Sequence, residues 1–95
     1  MRANLSEANL SRVHLTGADL TEAHLTEAHL TEAHLTGADL TGAYLTGAYL
    51  TRTCLTRTCL DGAYLTVANL VGAWADEYTI WPAGFDPEVA GVIFE

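Results

Sequence analysis

Leucine stands at every fifth position from Leu5 to Leu70, fourteen times, and nowhere else in the 95 residues. A period of five suits no helix: each step on an α-helix advances about 500°, about 140° beyond a full turn, so the leucines would scatter around the whole circumference. Extended chain suits it well. Two residues before the leucines sits a small residue, Ala in most units, with Val13, Thr53 and Thr58 as the exceptions. Residues two apart on a strand share a side, and the residue between them points away. Three residues of each unit therefore run inward, outward, inward, and the other two must turn the chain. Gly17, Gly37, Gly42, Gly47, Gly62 and Gly72 fall at the fifth position, and Thr fills the fourth ten times, where its β-branched side chain disfavours helix. The pattern predicts a β-solenoid: short inward-facing segments joined by tight turns, each coil stacked on the next at about 4.8 Å by strand-like hydrogen bonds.

Units such as Ala18-Asp19-Leu20-Thr21 and Ala8-Asn9-Leu10-Ser11, repeated from Ala3 to about Trp74, resemble the pentapeptide-repeat family. The resemblance implies an all-β fold, a right-handed quadrilateral β-helix with four pentapeptides per coil. Fifteen units would then make just under four coils, a stub about 18 Å long. The position between Ala and Leu, usually Asp or Asn in that family, is here often His, Tyr or Cys. Thr21 to Leu25 recurs at 26 and 31, Thr41 to Leu45 at 46, and Thr51 to Leu55 at 56. Recent duplication and consensus design both account for such copies.

From Asp76 the period vanishes and Tyr78, Ile80, Trp81, Phe85, Val92, Ile93 and Phe94 appear. Two regions follow: a solenoid over residues 1–75 and an aromatic tail over 76–95. A solenoid exposes its core at each end, and the tail is suited to cap one end, with Trp81 and Phe85 near Leu65 and Leu70. The stretch from Thr79 to Pro87 is similar to the tail that follows the repeats in bacterial, especially cyanobacterial, members of the family.

The chain carries 4 Lys+Arg against 12 Asp+Glu, a formal charge of −8. Such a surface repels nucleic acid and anionic membranes. The sequence shows no apolar run near the roughly 18 residues of a membrane span and no basic-then-apolar leader after Met1. A cytoplasmic protein with neither a nucleic-acid nor a membrane partner is expected.

With four units per coil, residues 20 apart lie above one another. The outward side chains then form columns: Asn4, His24, Tyr44 and Tyr64; Asn9, His29, Tyr49 and Asn69; His14, His34, Cys54 and Trp74; Asp19, Asp39 and Cys59. His14, His34 and Cys54 are ligand types for zinc or copper. Stacked side chains run parallel and do not converge on a tetrahedral point, so the column reads as a solvated ladder, with metal binding as an alternative. Cys54 and Cys59 face about 90° apart and are expected as free thiols. Arg12, Glu32 and Arg52 alternate in sign across coils. Thr53 and Thr58 point inward, where their hydroxyls need backbone acceptors. No phosphate loop, nucleophile–base pair or carboxylate cleft appears, so neither catalytic residues nor cofactors are expected.

These features point to a non-enzymatic structural or protein-interaction module. The resemblance supplies a second reading, since some members of the family inhibit or protect DNA gyrase by imitating duplex DNA. That needs a long acidic rod, whereas here seven acids and four arginines leave the repeats to Leu70 at −3, and the tail, with Asp76, Glu77, Asp86, Glu88 and Glu95, carries −5. At the other end the repeats begin almost at Met1, leaving Leu5 and Leu10 uncovered. A two-fold homodimer through that coil is expected, with fraying of the first coil and an upstream cap in a longer protein as the alternatives.

Overall fold

The computed structural model describes residues 4–95; Ala3, the inward residue expected of the first unit, lies outside the described residues. The leucine carbonyl of each unit accepts the amide three residues on, as in Ala8 N to Leu5 O at 3.0 Å and Ala48 N to Leu45 O at 2.9 Å. The residue before that amide has positive φ, from Glu7 at 64° to Gly72 at 77°. Such a turn, left-handed at its third residue, is the natural place for glycine. It reverses the chain within two residues and returns the next Ala/Leu pair to the inside.

Between coils the backbone forms a vertical ladder. Each outward residue donates to the coil below and accepts from it, as His29 N does to Ala8 O at 2.8 Å while Leu10 N donates to His29 O at 2.7 Å. Through the repeats every parallel bridge joins an outward residue to its counterpart one coil on, from Asn4 with His24 up to Cys54 with Trp74. Turn amides add a second rail, such as Gly47 N to Thr66 O at 2.9 Å. Four of the five amides in an interior unit are thus bonded, three of them to another coil.

The expected three-residue strands are reduced to single bridges. Among the described residues only β1 (Trp74–Ala75) and β2 (Ile93–Phe94) form strands of two residues, paired in parallel. The reason is local: two residues of every five are spent on the turn, and the inward Ala spends its amide closing that turn. One residue per face is left to bridge both ways.

Inside the ladder, Leu25, Leu30, Leu35, Leu40, Leu45, Leu50, Leu55 and Leu60 are buried with the alanines beside them. Leu5, Leu10 and Leu15 are only partly buried. The register continues beyond Ala75 with one extra turn residue: Cys59 bridges Ile80, a spacing of 21, and Thr79 and Trp81 take the inward positions of Ala and Leu. Residues 82–91 then cross the top, Trp81 and Phe85 stacking at 5.3 Å and packing with Ala90 against the core. The chain returns to the ladder at β2, above β1. The described chain is blocky, 30 × 24 × 23 Å.

At eight units the left-handed turn position is held by Glu, Arg or Val instead of glycine. Val67 is the costliest, a β-branched residue at φ 51° whose side chain is 81% exposed and gains little from packing. Val67→Gly is therefore expected to raise stability by about 1 kcal/mol, even after the extra freedom glycine gives the unfolded chain. Urea denaturation checks this; an unchanged or lower midpoint would mean that the turn stores no strain there.

Candidate functional site

All four expected columns form. Along the first, His24 stacks on Tyr44 at 4.9 Å and Tyr44 on Tyr64 at 5.0 Å. Along the second, His29 stacks on Tyr49 at 4.6 Å. Ring-on-ring order follows from the backbone, because the bridges fix each outward Cβ directly above its counterpart in the previous coil. The three tyrosines of these columns are half exposed, Tyr64 most of them at 52%.

The third column departs from continuous stacking. His14 and His34 stack at 4.5 Å with planes 5° apart, but Cys54 interrupts the rings before Trp74. Its Sγ lies 3.1 Å from Thr36 Oγ1 and 3.6 Å from Thr56 Oγ1, which turns the thiol toward the threonine corner of the face. On the opposite corner Glu32 joins two arginines: Arg12 Nε donates to Oε1 at 3.1 Å and Arg52 Nε to Oε2 at 3.2 Å. An open groove of about 540 Å³ lies between, lined by His34, Cys54, Trp74 and this ion trio. The imidazoles lie parallel and do not converge, and no group of three possible metal ligands comes together among the described residues. Both cysteines are free thiols.

Thr53 and Thr58 are fully buried, and their hydroxyls donate to Leu30 O at 2.6 Å and Leu35 O at 2.7 Å, as their inward position required. Thr79 repeats the device on Leu55 O at 2.8 Å. Sequence reading missed it because the extra residue breaks the period; the small-outward-large order of Thr79-Ile80-Trp81 is the signal that could have found it. Reading also missed a second constraint, beyond positive φ, at three of the turn glycines. A Cβ on Gly42, Gly47 or Gly72 would meet the Cγ of Glu22, Glu27 or Arg52 at 3.2 to 3.3 Å, so the glycine makes room for the long side chain one coil below.

This architecture has counterparts. The family model for pentapeptide repeats (8 copies) matches residues 1–37 and 28–66. The chain belongs to the pentapeptide-repeat family. A pentapeptide-repeat protein from Nostoc Pcc 7120 is similar to it at 33% identity and TM-score 0.61, the match covering 100% of this chain and 83% of that one. One from the cyanobacterium Cyanothece 51142 shares 37% identity at TM-score 0.54 over 83% of this chain. One from the Arabidopsis thaliana thylakoid lumen shares 28% at TM-score 0.67 over 95%. The matches span 57% and 60% of those last two chains. No curated protein matches. The neighbours imply a right-handed β-helix.

Within this pentapeptide-repeat chain the outward Asp and Asn residues serve the turn. Asp19 accepts the Thr21 hydroxyl at 2.7 Å and its amide at 3.1 Å, and Asn4, Asn9, Asp39 and Asn69 each take the amide two residues on. Units with His or Tyr give up that bond, and the rings recover contact by stacking. The Thr21 hydroxyl and amide hold the Asp19 carboxyl below its ordinary range. Desolvation pushes the Asp76 carboxyl up, but the Arg57 amide, the Thr79 hydroxyl and the Tyr78 amide together outweigh it and leave Asp76 lowered. Desolvation likewise raises the Cys54 thiol, and the hydroxyls of Thr36 and Thr56 together with the Thr56 amide overcome it, so this thiol too is lowered.

Asp76 ties the six-residue step into the tail to Arg57, one coil below. Its pKa is lower folded than unfolded, so its contribution is present above the unfolded value of about 3.8 and is lost as pH falls through the lower folded value. Asp76→Asn is expected to lower the urea midpoint at about pH 7 and to show a shallower loss between about pH 4 and pH 2 than the parent. Parallel pH profiles of the two proteins would exclude this role.

Proposed function

We propose that this chain is a non-enzymatic protein-interaction module that presents adjacent flat faces bearing stacked tyrosines to a protein partner, with residues 76–95 serving as its C-terminal lid. The observation that carries the reading is the pair of neighbouring ladders, His24–Tyr44–Tyr64 and His29–Tyr49, at ring spacings of 4.6 to 5.0 Å. Tyrosine is favoured in protein interfaces because it offers rigid apolar area with a polar tip at low entropic cost. Here the ladder fixes the rings before any partner arrives, which lowers the ordering cost further. The blocky shape, 30 × 24 × 23 Å, and the placement of most excess negative charge in the tail weigh against imitation of a DNA rod. Replacing Tyr44, Tyr49 and Tyr64 together by Ser should leave the buried leucines in place while abolishing retention of the partner captured by the parent protein. A variant that retains the partner equally would overturn the reading.

A second reading concerns the coil that starts at Asn4. The amides of Asn9, His14 and Asp19, whose counterparts in the next coil donate to the coil below, have no backbone acceptor among the described residues. Leu5, Leu10 and Leu15 beside them are only partly buried. Unpaired backbone next to half-exposed leucine templates association, and a second copy meeting this end in a two-fold contact would close it. Sedimentation should give about twice the 10.2 kDa protomer mass at micromolar concentration, with Leu10→Glu shifting it to the monomer. A parent chain that stays monomeric at high concentration would rule the dimer out.

A further inference from the structure

We propose that the third outward column is a small-molecule site, in which a planar aromatic ring bearing a phosphate or carboxylate fills the missing rung at Cys54 between His34 and Trp74. Neighbouring rings on the outward columns stand 4.5 to 5.0 Å apart, one per coil. His34, Cys54 and Trp74 occupy successive rungs, so the imidazole and the indole rung are separated by two steps, about 9 to 10 Å at the usual strand spacing. One ring fits between them at the spacing the other ladders already use. Cys54 leaves the space open because its thiol is turned aside to Thr36 and Thr56.

The anion requirement comes from the corner of the same groove. Glu32 engages each guanidinium through Nε alone, at 3.1 and 3.2 Å. The Nη groups of Arg12 and Arg52 therefore keep their donors, and the trio carries a net charge of +1 in a chain of −8. The Arg52 side chain runs through the space left by Gly72, where a Cβ would come within 3.2 Å of its Cγ. The carboxylate of Glu95, whose charge reaches Cys54, belongs to a residue bonded to Ala75 O at 3.0 Å. Glu95 is not among the residues that line the groove. The groove thus has arginine donors at one corner and the Cys54 thiol turned to the other, with an aromatic slot between. A ring with an anion at one edge satisfies both features, whereas a neutral ring or a bare anion satisfies only one.

The test uses the intact chain and ¹H–¹⁵N spectra, in which the Trp74 indole reports on the groove and the buried Trp81 indole serves as an internal control. The probes are AMP, 2-naphthoate, adenosine and inorganic phosphate. Saturable shifts of the Trp74 signal with AMP or 2-naphthoate are expected, and the tighter of the two distinguishes a phosphate source from a carboxylate one. Adenosine should bind at least about fivefold more weakly than AMP, and Arg52→Gln should bring AMP down to the adenosine level. Cys54→His supplies the missing ring in the form the column already carries at His14 and His34, so the fold is preserved while affinity falls at least about tenfold. The proposal is overturned by the absence of saturation up to about 5 mM, by phosphate binding as tightly as AMP, or by Cys54→His binding as the parent does. The site shares no residue with the tyrosine faces, so its failure leaves that reading standing.

Discussion

The interaction on which everything else rests is the two-way backbone bridge between coils, in which one outward residue donates to the coil below and accepts from it. Each bridge sets its side chain above the matching residue of the previous coil, as in His24 above Asn4 and Tyr44 above His24. The inward register follows at once, because Ala and Leu flank that residue on the pleat. The outward register follows too, and from it the stacked rings, the Arg12–Glu32–Arg52 trio and the threonine pairs at 3.0 and 3.2 Å. These contacts are consequences of the ladder. Exposed pairs of this kind contribute at most about 1 kcal/mol each, too little to set the register by themselves.

The turn that permits the ladder carries a local cost. Its third residue sits at positive φ in every unit, and where that residue is Glu, Arg or Val the backbone is strained. Two features explain why long side chains persist there. Glu32 uses its position to join two arginines, and Glu22, Glu27 and Arg52 lie beneath glycines of the next coil, where a Cβ would crowd them. Glycine at one level and a long side chain at the level below form a complementary pair. The outward position shows a similar exchange, Asp and Asn bonding the turn amide while His and Tyr stack instead.

Much of this was legible in the sequence because a strict period leaves few geometries open. The period of five excluded helix, the Ala-to-Leu spacing chose the inward face, and the inward threonines demanded acceptors, which Thr53 and Thr58 find in Leu30 O and Leu35 O. Legibility failed where the period failed. The passage from Ala75 to Thr79 inserts one residue, held by Asp76, and the coil continues through Thr79-Ile80-Trp81 before the chain crosses above the core. The short strands expected of each unit also shrank to single bridges, since the inward residue's amide is spent on closing the turn.

By itself, then, the sequence determined which residues face inward, that the chain coils instead of forming helices, and, through the family it resembles, which outward residues share a column. Those properties depend only on spacing, and spacing is written in the chain. Tertiary structure alone decided where the Cys54 thiol turns and that Glu32 divides its two oxygens between Arg12 and Arg52. Each depends on which neighbour a side chain chooses among several within reach, and that choice is made by the coils above and below, distant in the sequence and adjacent only through the ladder.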